Sequence, residues 1–175
     1  ESDLMISIKS AKQIEKMRES CKLTKELFLI LEDMVKPGVS TLELDKAAYN
    51  FYKKHGATPN FLNYDGYPAT ICASVNDEVV HGIPSKHAVG KISEEAQRLI
   101  DVTRESFFEG IKKVKHGAKL GDLSAAIQNY VESNGYGVVR DLVGHGIGRL
   151  MHEDPSVPNF GKAGHGVKLA AGMAL

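Results

Sequence analysis

The sequence predicts an α/β protein made of two like halves, each a pair of helices followed by short strands. Three observations carry that reading. Apolar residues recur at helical spacing in four stretches, each opened or closed by residues that suit helix ends. Short apolar runs of strand character, "ATICASV" and "EVVHGIP", follow the first helical pair. At a constant offset of 79, Val35, Lys36, Gly38, Leu44, Ala47, Asn50 and Gly56 each meet an identical residue.

The elements follow in order. Ser10 with Gln13 three residues later forms a capping box, and Ile14, Met17, Cys21, Phe28, Leu31 and Val35 make the apolar stripe of a first helix that Pro37-Gly38 stops. Ser40 with Glu43 repeats the device, and Leu44, Ala47, Ala48, Phe51 and Tyr52 face inward on a helix ending at Gly56. From Thr58 to Pro84 turn signals such as "NYDGYP" separate the two runs read as strands. A third helix is expected from Ser93, with Glu94 and Glu95 favoured by the helix dipole, to Gly117, and a fourth from about Asp122 to Asn134. The rest of the chain is glycine-rich, with short apolar runs that suit strands and loops.

A unit of 79 residues is too long for a solenoid repeat, so two half-domains are expected, related by a pseudo-twofold axis with the sheet between them. A cleft where such halves meet is a favoured binding site. With 175 residues, 42% of them hydrophobic and 25% charged, the chain supports one core and therefore one domain. The expected domain covers 5–175, with halves at 5–88 and 89–175. Residues 1–4 read as an artificial scar, because Met5 makes a natural start.

Lys plus Arg and Asp plus Glu both count 22, so no net field draws the chain to nucleic acid or to an acidic membrane. There is no apolar run of spanning length and no signal-peptide pattern, which together predict a cytoplasmic protein without a membrane partner. Cys21 and Cys72 are too few and too far apart for a disulfide framework or a cysteine zinc site, and both are read as thiols. A monomer is the default expectation.

Seven histidines need sorting. His55, His116 and His165 lie near helix ends or in glycine-rich loops, His87 in a loop, and structural or surface roles are expected for all four. His81 ends an apolar run before Gly-Ile-Pro, where a side chain can stand at the rim of a sheet. His145 lies between Gly144 and Gly146, which permit close approach of a ligand or strand. With His152 in the same "GHGIGRLMHEDP" stretch, these three suggest a site, since neutral imidazole suits divalent transition metals. The nearby acids Asp77, Glu78, Asp141, Glu153 and Asp154 fit turns or solvated positions better than metal ligation. No GxSxG, Walker A, GxGxxG or HExxH motif is present.

The stretches "NYDGYPATICASVNDEVVHGIP" and "GHGIGRLMHEDPSVPNFG", with the helical pairs before them, closely resemble bacterial type I methionine aminopeptidases. The resemblance covers nearly every residue after Met5. It implies the duplicated α/β "pita-bread" fold and a cytosolic metalloexopeptidase that removes the initiator methionine from nascent chains. The cofactor it implies is a pair of divalent ions, Co, Mn, Fe or Zn.

Residue by residue, the resemblance makes His145 the single histidine metal ligand. His152 matches the histidine at the scissile amide, and His81 the one that assists binding or proton handling on the substrate side. Phe61, Tyr64, Tyr67 and Cys72 match the walls of the methionine pocket, with Met151 on its rim; a thioether suits such a lining. Peptides beginning with methionine are the partners implied. Contact with the ribosome, a setting the family raises, has no support from the neutral charge.

The departure is equally specific. The family places two metal-binding aspartates in a hairpin after "HGIP", whereas here "SKHA" runs directly into "VGKISEEA". Two glutamate ligands come later in the family, the first just past the stretch resembling "AAGMAL", and this sequence ends at Leu175. With four of five ligands absent, the chain is expected to lack the ion pair, some central strands and catalysis. The alternative is a catalytically dead module of the same fold that binds peptide or protein without metal.

Overall fold

Side chains at the helix starts set the architecture. In the computed structural model, which describes residues 5–175, the Ser10 N–H donates to Gln13 Oε1 at 2.8 Å and the Gln13 N–H to Ser10 Oγ at 3.3 Å. That box opens α1, Ala11–Met34. Ser40 and Glu43 cap α2, Thr41–Lys54, in the same reciprocal way. The Ser93 hydroxyl accepts the Ala96 N–H at the start of α3, Glu94–Ile111. α4 is Leu120–Ser133. The reading of residues 1–4 as a scar lies outside the described residues.

Two helix boundaries differ from expectation. α3 ends at Ile111, not Gly117, because Lys113 and Val114 bond three residues back, to Gly110 and Ile111, and the chain turns towards Gly117. α4 begins two residues before Asp122. Its cap position is Lys119, whose backbone N–H donates to Asp122 Oδ2 at 2.9 Å. Lysine is not a residue that announces a helix start.

The apolar runs at 69–75 and 78–84 do not form strands. One ladder-type bond, from the Ala73 N–H to the Gly82 carbonyl at 2.9 Å, joins them. Asn76 and His81 take positive φ, 55° and 58°, which bends the backbone out of extension. Among the described residues the sheet is two-stranded: β1, Gly144–Gly146, runs antiparallel to β2, Glu153–Val157.

The chain divides into two compact units. One is Arg18–Lys91; the other joins the residues through Met17 to Ile92–Leu175. In the second, α3 packs on α4, and Gly110 permits the contact: a Cβ there would lie 2.7 Å from Leu123 Cδ1 and from Ile127 Cγ1. The core of that unit is Leu120, Leu123 and Leu169, with Ile127, Val157 and Val167 against it. In the first unit α2 buries Thr41, Leu44 and Ala48.

The internal repeat is structural as well as sequential. α2 and α4 are offset by 79 at both ends. Ser40, just before α2, forms an isolated antiparallel bridge with Ala88; Lys119, just before α4, forms one with Lys168. The Gly38 N–H donates to the Val89 carbonyl and the Val89 N–H to Val39, as Gly117 does to Leu169 and Leu169 to Ala118. Each unit thus closes by the same local bonding, and the likeness of the halves persists through Val89. No helix among the described residues is long and apolar enough to cross a membrane.

Candidate metal and substrate site

The eight residues singled out in the sequence fall in both units. His145, Met151 and His152 belong to the unit that carries the strands; Phe61, Tyr64, Tyr67, Cys72 and His81 belong to Arg18–Lys91.

The strand pair positions the first group. His145 lies opposite Ser156, with Gly144 opposite Val157 and Gly146 opposite Glu153. The close approach of β2 requires glycine at 146, where a Cβ would sit 2.3 Å from the Asp154 carbonyl oxygen. His145 Nδ1 lies 2.8 Å from the Gly146 carbonyl. A carbonyl only accepts, so Nδ1 carries the proton and the Nε2 lone pair is left for a ligand. The His152 ring lies beside it, centroids 4.3 Å apart and planes tilted by 49°. Both imidazoles line an open depression of about 630 Å³, together with Leu150, Glu153 and Asp154. Met151 is not among its lining residues; Leu150 is.

The acids beside the histidines are engaged elsewhere. Glu153 accepts from the Lys9 ammonium at 2.5 Å and from the Leu150 N–H at 3.2 Å. The Lys9 bond, then the Leu150 amide, hold its carboxyl below the ordinary glutamate range. Asp154 Oδ2 accepts the Met5 N–H. Lys9 is buried, and nothing in its sequence surroundings marked it as the partner of Glu153.

A two-metal centre needs several carboxylate and imidazole donors around each ion. Among the described residues no three His, Cys, Asp or Glu side chains converge where they could hold a metal ion. His145 Nε2 with the adjacent His152 ring is a set of two donors at most. The residues present do not fit a pair of divalent ions.

The second group is built on Asp45 of α2 and Tyr67. Asp45 Oδ1 accepts the Thr70 and Ile71 N–H groups at 2.7 and 3.0 Å, fixing the start of the 69–75 run. Asp45 was not legible as a site residue, because an acid on a helix flank carries no signal of the loop it will meet. The Tyr67 hydroxyl lies 3.0 Å from the Ile71 carbonyl and 2.9 Å from that of Gly82, so one proton is shared between two acceptors and joins the two runs. Burial, and then the neighbouring Cys72 thiol and Asp45, push its phenol far above the ordinary range.

Phe61 meets the Tyr67 ring edge-on, centroids 6.4 Å apart. Tyr64 opens a single 3-10 turn, Tyr64–Gly66, and is 42% exposed. Cys72 Sγ lies 3.6 Å from His81 Nδ1. The aromatic wall, the thiol and the imidazole therefore stand together in one unit. Of the histidines read as structural, His55 bonds the Phe51 carbonyl through Nδ1 and His116 faces the Ala171 N–H.

Metallopeptidase family M24 matches the chain over residues 15–89 and 87–175. A methionine aminopeptidase of Clostridium acetobutylicum is 50% identical over 199 residues, covering 98% of this chain and 80% of that protein. A methionine aminopeptidase of Clostridium perfringens is 46% identical over 198 residues. The crystal structure of methionine aminopeptidase from Rickettsia prowazekii superimposes with a TM-score of 0.93 at 39% identity, over 97% of this chain and 79% of that one. The 199 matched positions exceed the 175 residues of the chain by 24. At least that many positions of the first relative have no counterpart here, and the two segments of the family match meet at residues 87–89.

Proposed function

The chain belongs to metallopeptidase family M24, among the bacterial methionine aminopeptidases, and from that premise we propose that its fold is built for metal-dependent removal of the initiator methionine from nascent proteins, while residues 1–175 as they stand do not carry that reaction out. The fold is the pita-bread fold of those enzymes, and the family's chemistry depends on divalent metal. His145 is the metal-facing residue of this reading. His81 and His152 contact the substrate backbone, and Phe61, Tyr64, Tyr67, Cys72 and Met151 receive the methionine side chain. The setting is the cytosol, and the domain runs over 5–175 with its halves meeting at 88 and 89.

The observations that carry the inactive part are the shortfall of at least 24 positions against the first relative and the break of the family match into two segments that meet at residues 87–89. Two exposed phenylalanines agree with it. Phe28 on α1 and Phe107 on α3 are related by the same offset of 79 and are 67% and 56% exposed. Apolar helix faces of this kind normally lie against a sheet. The missing positions also favour a second reading, a peptide-binding module without catalysis.

Incubation of the 175-residue chain with Met-Ala-Ser and Mn(II), followed by chromatography of the products, tests the proposal. No free methionine above the protein-free blank is expected. Release of methionine that a chelator abolishes would overturn the inactive reading, and calorimetry with the same peptide separates the two remaining cases. Metal-independent binding supports the module, and a flat titration removes peptide recognition altogether.

A further inference from the structure

We propose that Lys113, Lys115, Lys119 and Lys168 form a docking surface for linear polyphosphate. The protein as a whole is neutral, yet residues 112–119 and 162–168 together hold six lysines and two histidines and no acid. Lys112 is paired with Glu109. The two segments are held together by backbone bonds: the Leu169 N–H donates to the Ala118 carbonyl and the Leu120 N–H to the Val167 carbonyl, both at 2.8 Å. Those bonds flank the bridge between Lys119 and Lys168 and make it a non-hydrogen-bonded antiparallel pair. In such a pair the Cα atoms lie about 4.5 Å apart and the side chains stand on one face. Like charges directly opposite each other destabilise it. The matching bridge in the other half seats Ser40 opposite Ala88, both uncharged, so the local fold does not require charge at this place.

Further cations converge on the pair. Asp122 accepts the Gly164 N–H at 2.7 Å and the Lys119 N–H at 2.9 Å, which pins the 162–168 segment to the start of α4. The Lys113 and Lys115 ammonium groups act on that same carboxylate. The Lys168 stem runs past Gly117, where a Cβ would lie 3.9 Å from Lys168 Cε. Asp122 is already engaged by two amides and offsets one charge of four. Lys113, Lys115 and Lys168 are exposed and Lys119 is half-buried, so an extended anion reaches them from solvent. The residue types narrow the anion. Neither segment contains Phe, Tyr or Trp, which removes the stacking platform that nucleic-acid bases use. Neither contains arginine, whose planar fork suits the carboxylates of an acidic peptide. Lysine is a compact point charge that binds phosphate without directional demand, and closely set lysines suit a polymer with a charge on every phosphate. The inference uses none of the residues assigned to metal or substrate and does not depend on the peptidase reading.

The experiment is fluorescence anisotropy of end-labelled linear sodium polyphosphate, titrated with the 175-residue protein at several salt concentrations from about 50 to 200 mM. Binding is expected at the low end, with log affinity falling linearly as log salt rises. Replacing Lys119 and Lys168 together, Lys119→Gln with Lys168→Gln, should weaken binding about tenfold and lower the salt slope by about two, one for each lysine. Lys46→Gln with Lys53→Gln, on α2 of the other unit, should change neither. The thermal midpoint of the Lys119 and Lys168 variant should not fall, because a like-charge pair has been removed. Should it fall, Lys113→Gln with Lys115→Gln carries the same test, with the same change of slope expected. No binding at low salt, or equal losses in the α2 control, would overturn the proposal. An RNA hairpin or a polyglutamate peptide that binds as tightly as polyphosphate would overturn it too, by showing a surface for nucleic acid or for acidic protein instead.

Discussion

The Lys9 ammonium and the Glu153 carboxylate form an ion pair at 2.5 Å with both side chains nearly withdrawn from solvent, 5% and 12% exposed. It ties the segment before α1 to the first residue of β2. Glu153 has a carboxyl value lowered from the usual 4.5, chiefly by Lys9. A group whose value falls on folding contributes stability above its unfolded value and loses it as pH drops through the folded one. The thermal midpoint of Glu153→Gln should therefore lie below that of the unmodified chain at pH 7, and the two should converge as pH falls below 4.5. A difference that stays constant through that range would show that the charge is not what matters.

Ser40→Ala removes the side-chain half of the cap on α2 while leaving the bridge to Ala88, which uses backbone atoms. A loss of about 1 kcal/mol in urea unfolding is expected. Ser40→Asp should recover most of it, since aspartate supplies an equivalent acceptor.

Gly146→Ala places a methyl group 2.3 Å from the Asp154 carbonyl oxygen, a backbone atom that cannot turn aside as a side chain does. β2 must move away from His145, at a cost of about 3 kcal/mol. Hydrogen exchange should show early loss of protection at 144–146 and 153–157, with α2 unaffected.

His145 is expected as the Nδ1–H tautomer when neutral, because Nδ1 faces the Gly146 carbonyl at 2.8 Å. Long-range ¹H–¹⁵N spectra of ¹⁵N-histidine-labelled protein distinguish the two nitrogens. A protonated Nε2 on neutral His145 would remove the residue as a donor of its lone pair into the depression.

Much of the helical frame was legible because its signals are local. Ser10, Ser40 and Ser93 are hydroxyl residues placed just before apolar periodicity, and each caps a helix where expected. α4 started early because Lys119 has no such signal; its cap comes from Asp122 reaching back. The runs around Cys72 and Val79 had strand composition, but composition reports how a segment suits a pleated surface and not whether a partner strand lies beside it. There the backbone bends at Asn76 and His81 instead. In the candidate site, the pairing of His145 with His152 was readable from one motif. Lys9 and Asp45 were not, since each acts on residues far away in the chain, Glu153 and the 70–71 amides.

The matched closures of the two halves have a kinetic consequence. The bond from Gly38 to Val89 closes a loop of 51 residues, and that from Gly117 to Leu169 one of 52. Loop-closure entropy depends only on the logarithm of length, so the chain faces nearly the same entropic barrier in forming either half. Which one forms first is then decided by side chains: Leu120 and Leu123 collapse on Leu169 in one half, where the other offers Thr41 and Leu44. The more apolar seat favours the later half as the nucleus, so the order of folding would run against the order of synthesis.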